Sequence, residues 1–242
     1  MSAMWVIARR EFLRYFQGWS GYILLAAYLL ITGLLFNAYA LGQRPKLSQQ
    51  VLEDYLYMAS GMAMVTGLLL ALRLFAEERQ GHTLVLLRTA PVSERSVVWG
   101  KYLSAVAFLA VTLVLSLYLP ALIFVNGKVS LSHIAVGTLG LLLVGAAAAA
   151  IGLLASVWSR TQLMAGVLGG AMLTLLLIAW MLARISEPPL KAVLEQVALH
   201  NEHFRTFRAG ILHVRDLVYY LGVIALFVEG AVQSLESWRW RE

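Results

Sequence analysis

The chain has 242 residues, of which 60% are apolar and 13% charged, against ~45–50% and ~25% in an ordinary soluble domain. So much apolar surface cannot be hidden in one water-facing core, and the chain reads as a membrane protein. It has no cysteine, which excludes disulfides, a thiolate nucleophile and Cys-ligated zinc or iron–sulfur clusters.

Taken in chain order, residues 1–18 are too charged to cross a bilayer but sort by face at helical spacing. Trp5, Ala8, Phe12, Tyr15 and Phe16 form an apolar stripe, and Arg10, Glu11, Arg14 and Gln17 lie opposite, with Ile7 and Arg9 as exceptions. A basic helix of this kind is suited to lying in the headgroup layer of the cytoplasmic leaflet. The blander alternative is a charged flank that anchors the next segment.

A hydrocarbon core of ~30 Å needs ~20 mostly apolar helical residues. Six stretches qualify, at 19–41, 55–76, 102–125, 134–158, 162–183 and 216–235. Ala38-Tyr39-Ala40 resembles a signal cleavage site, but the apolar run before it is longer than the ~7–15 residues of a signal peptide, so it reads as a retained span. The last span contains Glu229, which by default faces the protein interior because an intramembrane carboxylate needs a partner. Arg73 is one candidate, and a position near the cytoplasmic interface is the alternative. Gly166, Gly170 and the 146–150 alanine run permit close helix packing and identify no pore.

Between the second and third spans, residues 77–93 read Glu77-Glu78-Arg79-Gln80-Gly81-His82-Thr83-Leu84-Val85-Leu86-Leu87-Arg88-Thr89-Ala90-Pro91-Val92-Ser93. The charges end the membrane helix, Gly81 permits a turn, and 83–89 predicts a short apolar helix stopped by Pro91. Ser93 and Glu94 then supply an N-cap and a first-turn carboxylate for the next helix. A short apolar helix in the cytoplasm either folds back on its own bundle or docks on a soluble partner.

Residues 184–214 turn polar and form an extracytoplasmic loop with a short amphipathic helix predicted over 190–199. His200 and His203 are three apart, which is thin support for a metal site without a third ligand. Placing both termini inside sets eleven of the nineteen basic residues on the cytoplasmic side and eight outside, a modest positive-inside bias.

The chemistry that is missing narrows the function. Neither Gly100-Lys101 nor Gly127-Lys128 has the rest of a phosphate-cradling G-x-x-x-x-G-K-[ST] loop, so the chain is not itself an ATPase. It has no G-x-S-x-G elbow and no H-E-x-x-H pair, and its basic residues flank spans without forming a nucleic-acid patch.

The basic amphipathic N-terminus, the six spans and the run from Phe75 through Glu77, Gly81, Thr83, Leu86, Leu87, Pro91 and Ser93 to Gly100-Lys101 resemble the permease subunits of ABC-2 type transporters. These carry an E-x-x-x-G-T-x-x-x-L-L-x-x-P-V-S-like signature followed by G-K; here His82 separates Gly81 from Thr83. The C-terminal third, including His203 to Ile211, Arg215 to Tyr220 and Leu235 to Trp240, is similar to the gliding-motility-type branch.

The resemblance implies an all-α polytopic membrane protein with one permease domain, an in-plane N-terminal helix and a cytoplasmic coupling helix between the second and third spans. It implies pairing with a second permease copy, identical or related, and with a cytosolic ATP-binding subunit that holds ATP and Mg, this chain binding no cofactor. It assigns ATPase coupling to Glu77, Glu78, Arg79, Gly81, His82, Thr83, Leu84, Leu86, Leu87 and Arg88, and an interface role to the helix bearing Trp5, Arg9, Arg10, Phe12 and Arg14. An exporter of the cytoplasmic (inner) membrane, with a periplasmic or auxiliary protein as a further partner, fits the same resemblance. The competing readings are an ATP-independent secondary transporter, for which only Glu229 offers a mid-membrane ionisable group, and a membrane scaffold.

Overall fold

The computed structural model describes residues 2–41, 46–81, 92–125 and 127–239, with residues 238 and 239 as backbone only. Among them there is no β-strand. The helices are α1 (Ala3–Gln17), α2 (Trp19–Leu35, continued by a π-helical stretch Phe36–Leu41), α3 (Ser48–Gln80) and α4 (Glu94–Ser116). They continue with α5 (Tyr118–Leu122), α6 (Leu131–Trp158), α7 (Gln162–Ile185), α8 (Leu190–Val197), α9 (Phe204–Arg208) and α10 (Val214–Arg239). The short apolar helix expected at 83–89 lies outside the described residues, as do His82, Thr83, Leu84, Leu86, Leu87 and Arg88.

Among the described residues, six segments are long and apolar enough to cross a membrane: Trp19–Leu41, Ser48–Gln80, Glu94–Val125, Leu131–Trp158, Gln162–Ile185 and Val214–Ser237. The second is a 33-residue helix, about 50 Å long at 1.5 Å per residue, so it extends beyond a hydrocarbon core of ~30 Å. Its charged ends, Glu53 and Asp54 at one and Glu77, Glu78 and Arg79 at the other, remain helical. Charge sets where lipid contact stops, whereas the backbone hydrogen-bond ladder continues until Gly81 breaks it, with the Gly81 N–H donating to the Glu77 carbonyl.

Helices α3 and α6 form the centre of the bundle. Two-thirds of the apolar window of each is buried, against about a fifth for α2 and α7. Small residues bring the central pair together: a Cβ on Gly67 would collide with the Gly145 carbonyl oxygen, and the Ala146 to Ala150 run is buried throughout. Without a hydrophobic force between helices in lipid, such close van der Waals contact carries the association. Replacing Gly67 with Leu is therefore expected to lower stability by at least about 2 kcal/mol, read as a fall in the thermal midpoint of the purified protein; an unchanged midpoint would contradict the close crossing.

One polar tie reinforces this pair. Ser156 on α6 donates through Oγ to the Leu72 carbonyl at 2.9 Å and accepts from the Phe75 and Ala76 N–H groups at 3.1 and 3.0 Å. It fixes the last turns of α3 against α6 at the end of the bundle from which residues 82–91 depart.

Candidate functional site

The end of the bundle that carries α1, the C-terminal turns of α3 and the first turns of α4 is built around one buried cation. Lys101, only 2% exposed, donates through Nζ to Glu78 Oε1 at 2.7 Å and lies 3.7 Å from Glu11 Oε1. Its ammonium also sits 5.3 Å from the centre of the Phe75 ring. Three elements thus meet at one side chain: α1 through Glu11, α3 through Glu78, and α4 through Lys101 itself. An ammonium withdrawn from water is tolerated only with such partners, which makes the junction geometrically demanding.

Neighbouring contacts hold the same region. Arg73 pairs with Glu77 one turn on, at 2.6 Å, and Arg79 donates to the Ser159 carbonyl at the end of α6, at 3.0 Å. On the far side of residues 82–91, the Ser93 hydroxyl caps α4 by accepting from the Ser96 N–H at 3.3 Å, as the sequence predicted. Two residues further, Arg95 donates to Glu229 Oε1 on α10 at 2.6 Å, and the Trp99 indole donates to the same oxygen at 3.2 Å. The partner of Glu229 is therefore Arg95 and not Arg73, and its carboxylate is a third exposed, facing the bundle end and not the deep interior. Residues 82–91 thus leave from and return to two points that are both tied into the bundle.

Helix α1 packs on this junction with the stripe that the sequence marked as apolar. Ala8 and Tyr15 are buried; the Tyr15 ring lies 4.7 Å from that of Phe108, and its hydroxyl donates to the Leu70 carbonyl at 3.4 Å. Burial pushes the Tyr15 phenol well above its ordinary range, so it stays a neutral donor. Phe12 and Phe16 are half-buried and meet edge-on. Gly100 marks the crossing, because a Cβ there would come within 2.8 Å of the Met4 carbonyl and 3.0 Å of Ile7. Of the expected stripe, Ala8, Phe12, Tyr15 and Phe16 face the bundle, whereas Trp5 departs from it and is exposed with Val6 and Leu13 beside Arg9 and Arg10. Arg14 is exposed and pairs with Glu11 at 3.3 Å. The sequence places Glu11 on the outward polar face of α1 and Lys101 in the Gly100-Lys101 pair that follows Ser93; only the α1–α4 crossing reveals that they meet.

At the opposite end, the two histidines considered as metal ligands have separate partners. His200 Nε2 lies 2.6 Å from Ser60 Oγ. His203 Nδ1 donates to Asp216 Oδ1 at 2.9 Å, and Thr206 donates to the other oxygen of that carboxylate at 2.6 Å. No group of three metal-ligating side chains is assembled among the described residues. Burial, with Arg208 adding to it, lowers the His200 pKa, so its packed form resists protonation while an opened loop takes up a proton below about pH 6.5. The loop is therefore fully stable above that pH and loses stability as pH falls through it. Hydrogen exchange over 198–208, corrected for intrinsic rate, is expected to speed up between about pH 7.5 and about pH 5.5, and His200→Gln to flatten the change. A flat wild-type profile would contradict it.

Residues 2–180 match the sequence model of the ABC-2 type transporter family. The chain belongs to that family. No curated relative matches it. Membership makes the protein a multi-pass membrane permease, the membrane-spanning part of a transporter without an ATPase motif of its own, and implies partnership with an ATP-binding subunit. The matched region includes α1, the whole Glu11–Glu78–Lys101 junction and the spans that meet there.

Proposed function

We propose that this permease moves a substrate out across the cytoplasmic membrane, driven by ATP that a separate cytosolic subunit binds with Mg and hydrolyses. Residues 1–242 act as one transmembrane domain, with both termini in the cytoplasm, residues 77–93 as the coupling loop and 184–214 outside. A second permease copy, identical or related, completes the transporter, and a periplasmic or auxiliary protein is a further partner. The C-terminal third supports assignment to the gliding-motility-type branch.

The observation that carries this reading is the junction of Glu11, Glu78 and Lys101. Residues 82–91 are the segment that grips the ATP-binding subunit, with Leu84, Leu86 and Leu87 entering its surface and Glu77, Glu78, Arg79, His82, Thr83 and Arg88 around them; Gly81 permits the turn. A force applied there enters α3 at Glu78 and α4 at Lys101 together and reaches α1 through Glu11, so the three elements move as a unit. The exposed Arg9, Arg10 and Arg14 with Trp5 present α1 to the inner headgroup layer and to the edge of the same partner, Phe12 holding the helix to the bundle. The Arg95–Glu229 pair makes α10 follow α4.

Purification of the permease from native membranes is expected to bring an ATP-binding subunit with it. Trapping that subunit with a non-hydrolysable ATP analogue is expected to shift distances between labels on the spans. Recovery of the permease without any ATP-binding protein would favour a secondary transporter, and a bound subunit with no nucleotide-dependent movement would favour a scaffold. Charge reversal at Arg10 and Arg14 is expected to leave insertion intact and reduce transport severalfold, since each exposed cation near an anionic surface contributes about 1 kcal/mol; unchanged transport would reduce α1 to a membrane flank.

A further inference from the structure

The opposite end of the bundle holds a cavity of about 530 Å³ between the first turns of α3, the last turn of α7 and α9. Its walls carry three arginines. Arg184 stacks on Trp180, with the guanidinium carbon 4.4 Å from the ring centre, and Arg208 lies 5.2 Å from the centre of the Tyr57 ring. A guanidinium lying on an aromatic face has lost much of its freedom already, while its in-plane N–H groups stay available to a ligand at its edge.

The charges in and around the cavity are unequal. Arg208 is compensated by Asp54 at 3.6 Å and Glu53 at 4.0 Å. Arg184 and Arg205 have no carboxylate within ion-pair distance among the described residues, and both are exposed. His200, whose ring lines the cavity, is uncharged near neutral pH. The lining itself sets these three arginines against two carboxylates, Glu53 and Glu202, and Asp54 outside it is shared with Lys46 at 2.8 Å, so the surplus is one positive charge. A group carrying one negative charge suits it, and a polyanion does not.

Position identifies the source of that charge. Arg184 lies in the last turn of the α7 span, and Met181, Leu182 and Ile185 beside it are exposed apolar residues on a helix that crosses the membrane. The cavity therefore opens where the hydrocarbon ends and headgroups begin, and its volume is within the range of small-ligand sites. We propose that this cavity binds the phosphodiester of a membrane phospholipid, with Arg184 and Arg205 contacting the phosphate and the acyl chains lying along the exposed face of α7. The proposal is independent of ATP coupling, which belongs to the other end of the bundle.

Native mass spectrometry of the full chain, with any subunit that accompanies it, tests this with phosphatidylglycerol and an uncharged galactosyl diacylglycerol as probes. Wild type is expected to retain phosphatidylglycerol about tenfold better than the galactolipid, and Arg184→Gln/Arg205→Gln to lose about tenfold of that retention, as expected for removal of charge-assisted hydrogen bonds. A thermal midpoint equal to wild type shows that the variant is folded; should it fall, Arg205→Gln alone is expected to show a partial loss. Equal retention of the two lipids by wild type, or equal retention of phosphatidylglycerol by wild type and variants, would overturn the proposal. Release of the bound lipid by excess inorganic phosphate would overturn the lipid as the source and assign the cavity to free phosphate.

Discussion

Replacing Lys101 with Met is expected to lower the stability of the α1–α3–α4 junction by about 3 kcal/mol, within the range for removing one member of a buried ion pair. Methionine fills a similar volume, so the loss comes chiefly from Glu78 and Glu11 facing one another without the cation between them. Adding Glu78→Gln to Lys101→Met is expected to recover part of that loss, because the two groups share one interaction and their effects do not add. Thermal unfolding of the four proteins of this cycle measures the coupling, and strict additivity would contradict a direct pair. Function should suffer more than stability. With the ATP-binding subunit still attached to the Lys101→Met permease, that subunit is expected to hydrolyse ATP with reduced movement of α1, since the charged tie to that helix is lost while its packing on Phe108 and at Gly100 remains.

The second large effect is expected at the segment that those ties support. If residues 82–91 dock as proposed, changing Leu86 and Leu87 to Asp replaces two apolar contacts, each contributing about 1.5–3 kcal/mol when fully buried, and places two carboxylates where desolvation opposes them. A loss of at least a hundredfold in affinity for the ATP-binding subunit follows from about 3 kcal/mol, with the permease still inserted because no span is altered. Co-purification from membranes reads the result. A subunit that remains bound to the Asp variant would contradict a grip through these residues.

The six spans were legible because a bilayer requires long uncharged helices, and their lengths of apolar sequence are local properties. The Ser93 cap was legible for the same reason: it depends on residues within one turn. What was not legible depends on pairs remote in sequence. Arg95 and Glu229 are 134 positions apart, and neither helix alone tells which cation reaches that carboxylate. Lys101 stood in the sequence only as half of the Gly100-Lys101 pair, and its burial beneath the α1 crossing at Gly100 gives it a structural role. The aromatic stripe of α1 was visible as a stripe, but periodicity cannot say whether such a face meets lipid or protein; Phe108 answers that for Tyr15. His200 and His203 looked like a pair by spacing, and folding separates them onto Ser60 and Asp216.

The absence of native cysteine makes the decisive measurement accessible. A single Leu86→Cys substitution allows the rate of maleimide labelling to be followed with the permease alone and in complex with its ATP-binding subunit. Labelling is expected to slow at least about tenfold in the complex, as for a side chain covered at the core of an interface, while a cysteine at exposed Leu131 on the opposite end labels at one rate in both. Equal labelling of position 86 with and without the subunit would contradict the account, because the motor would then have to act on the spans through some other surface.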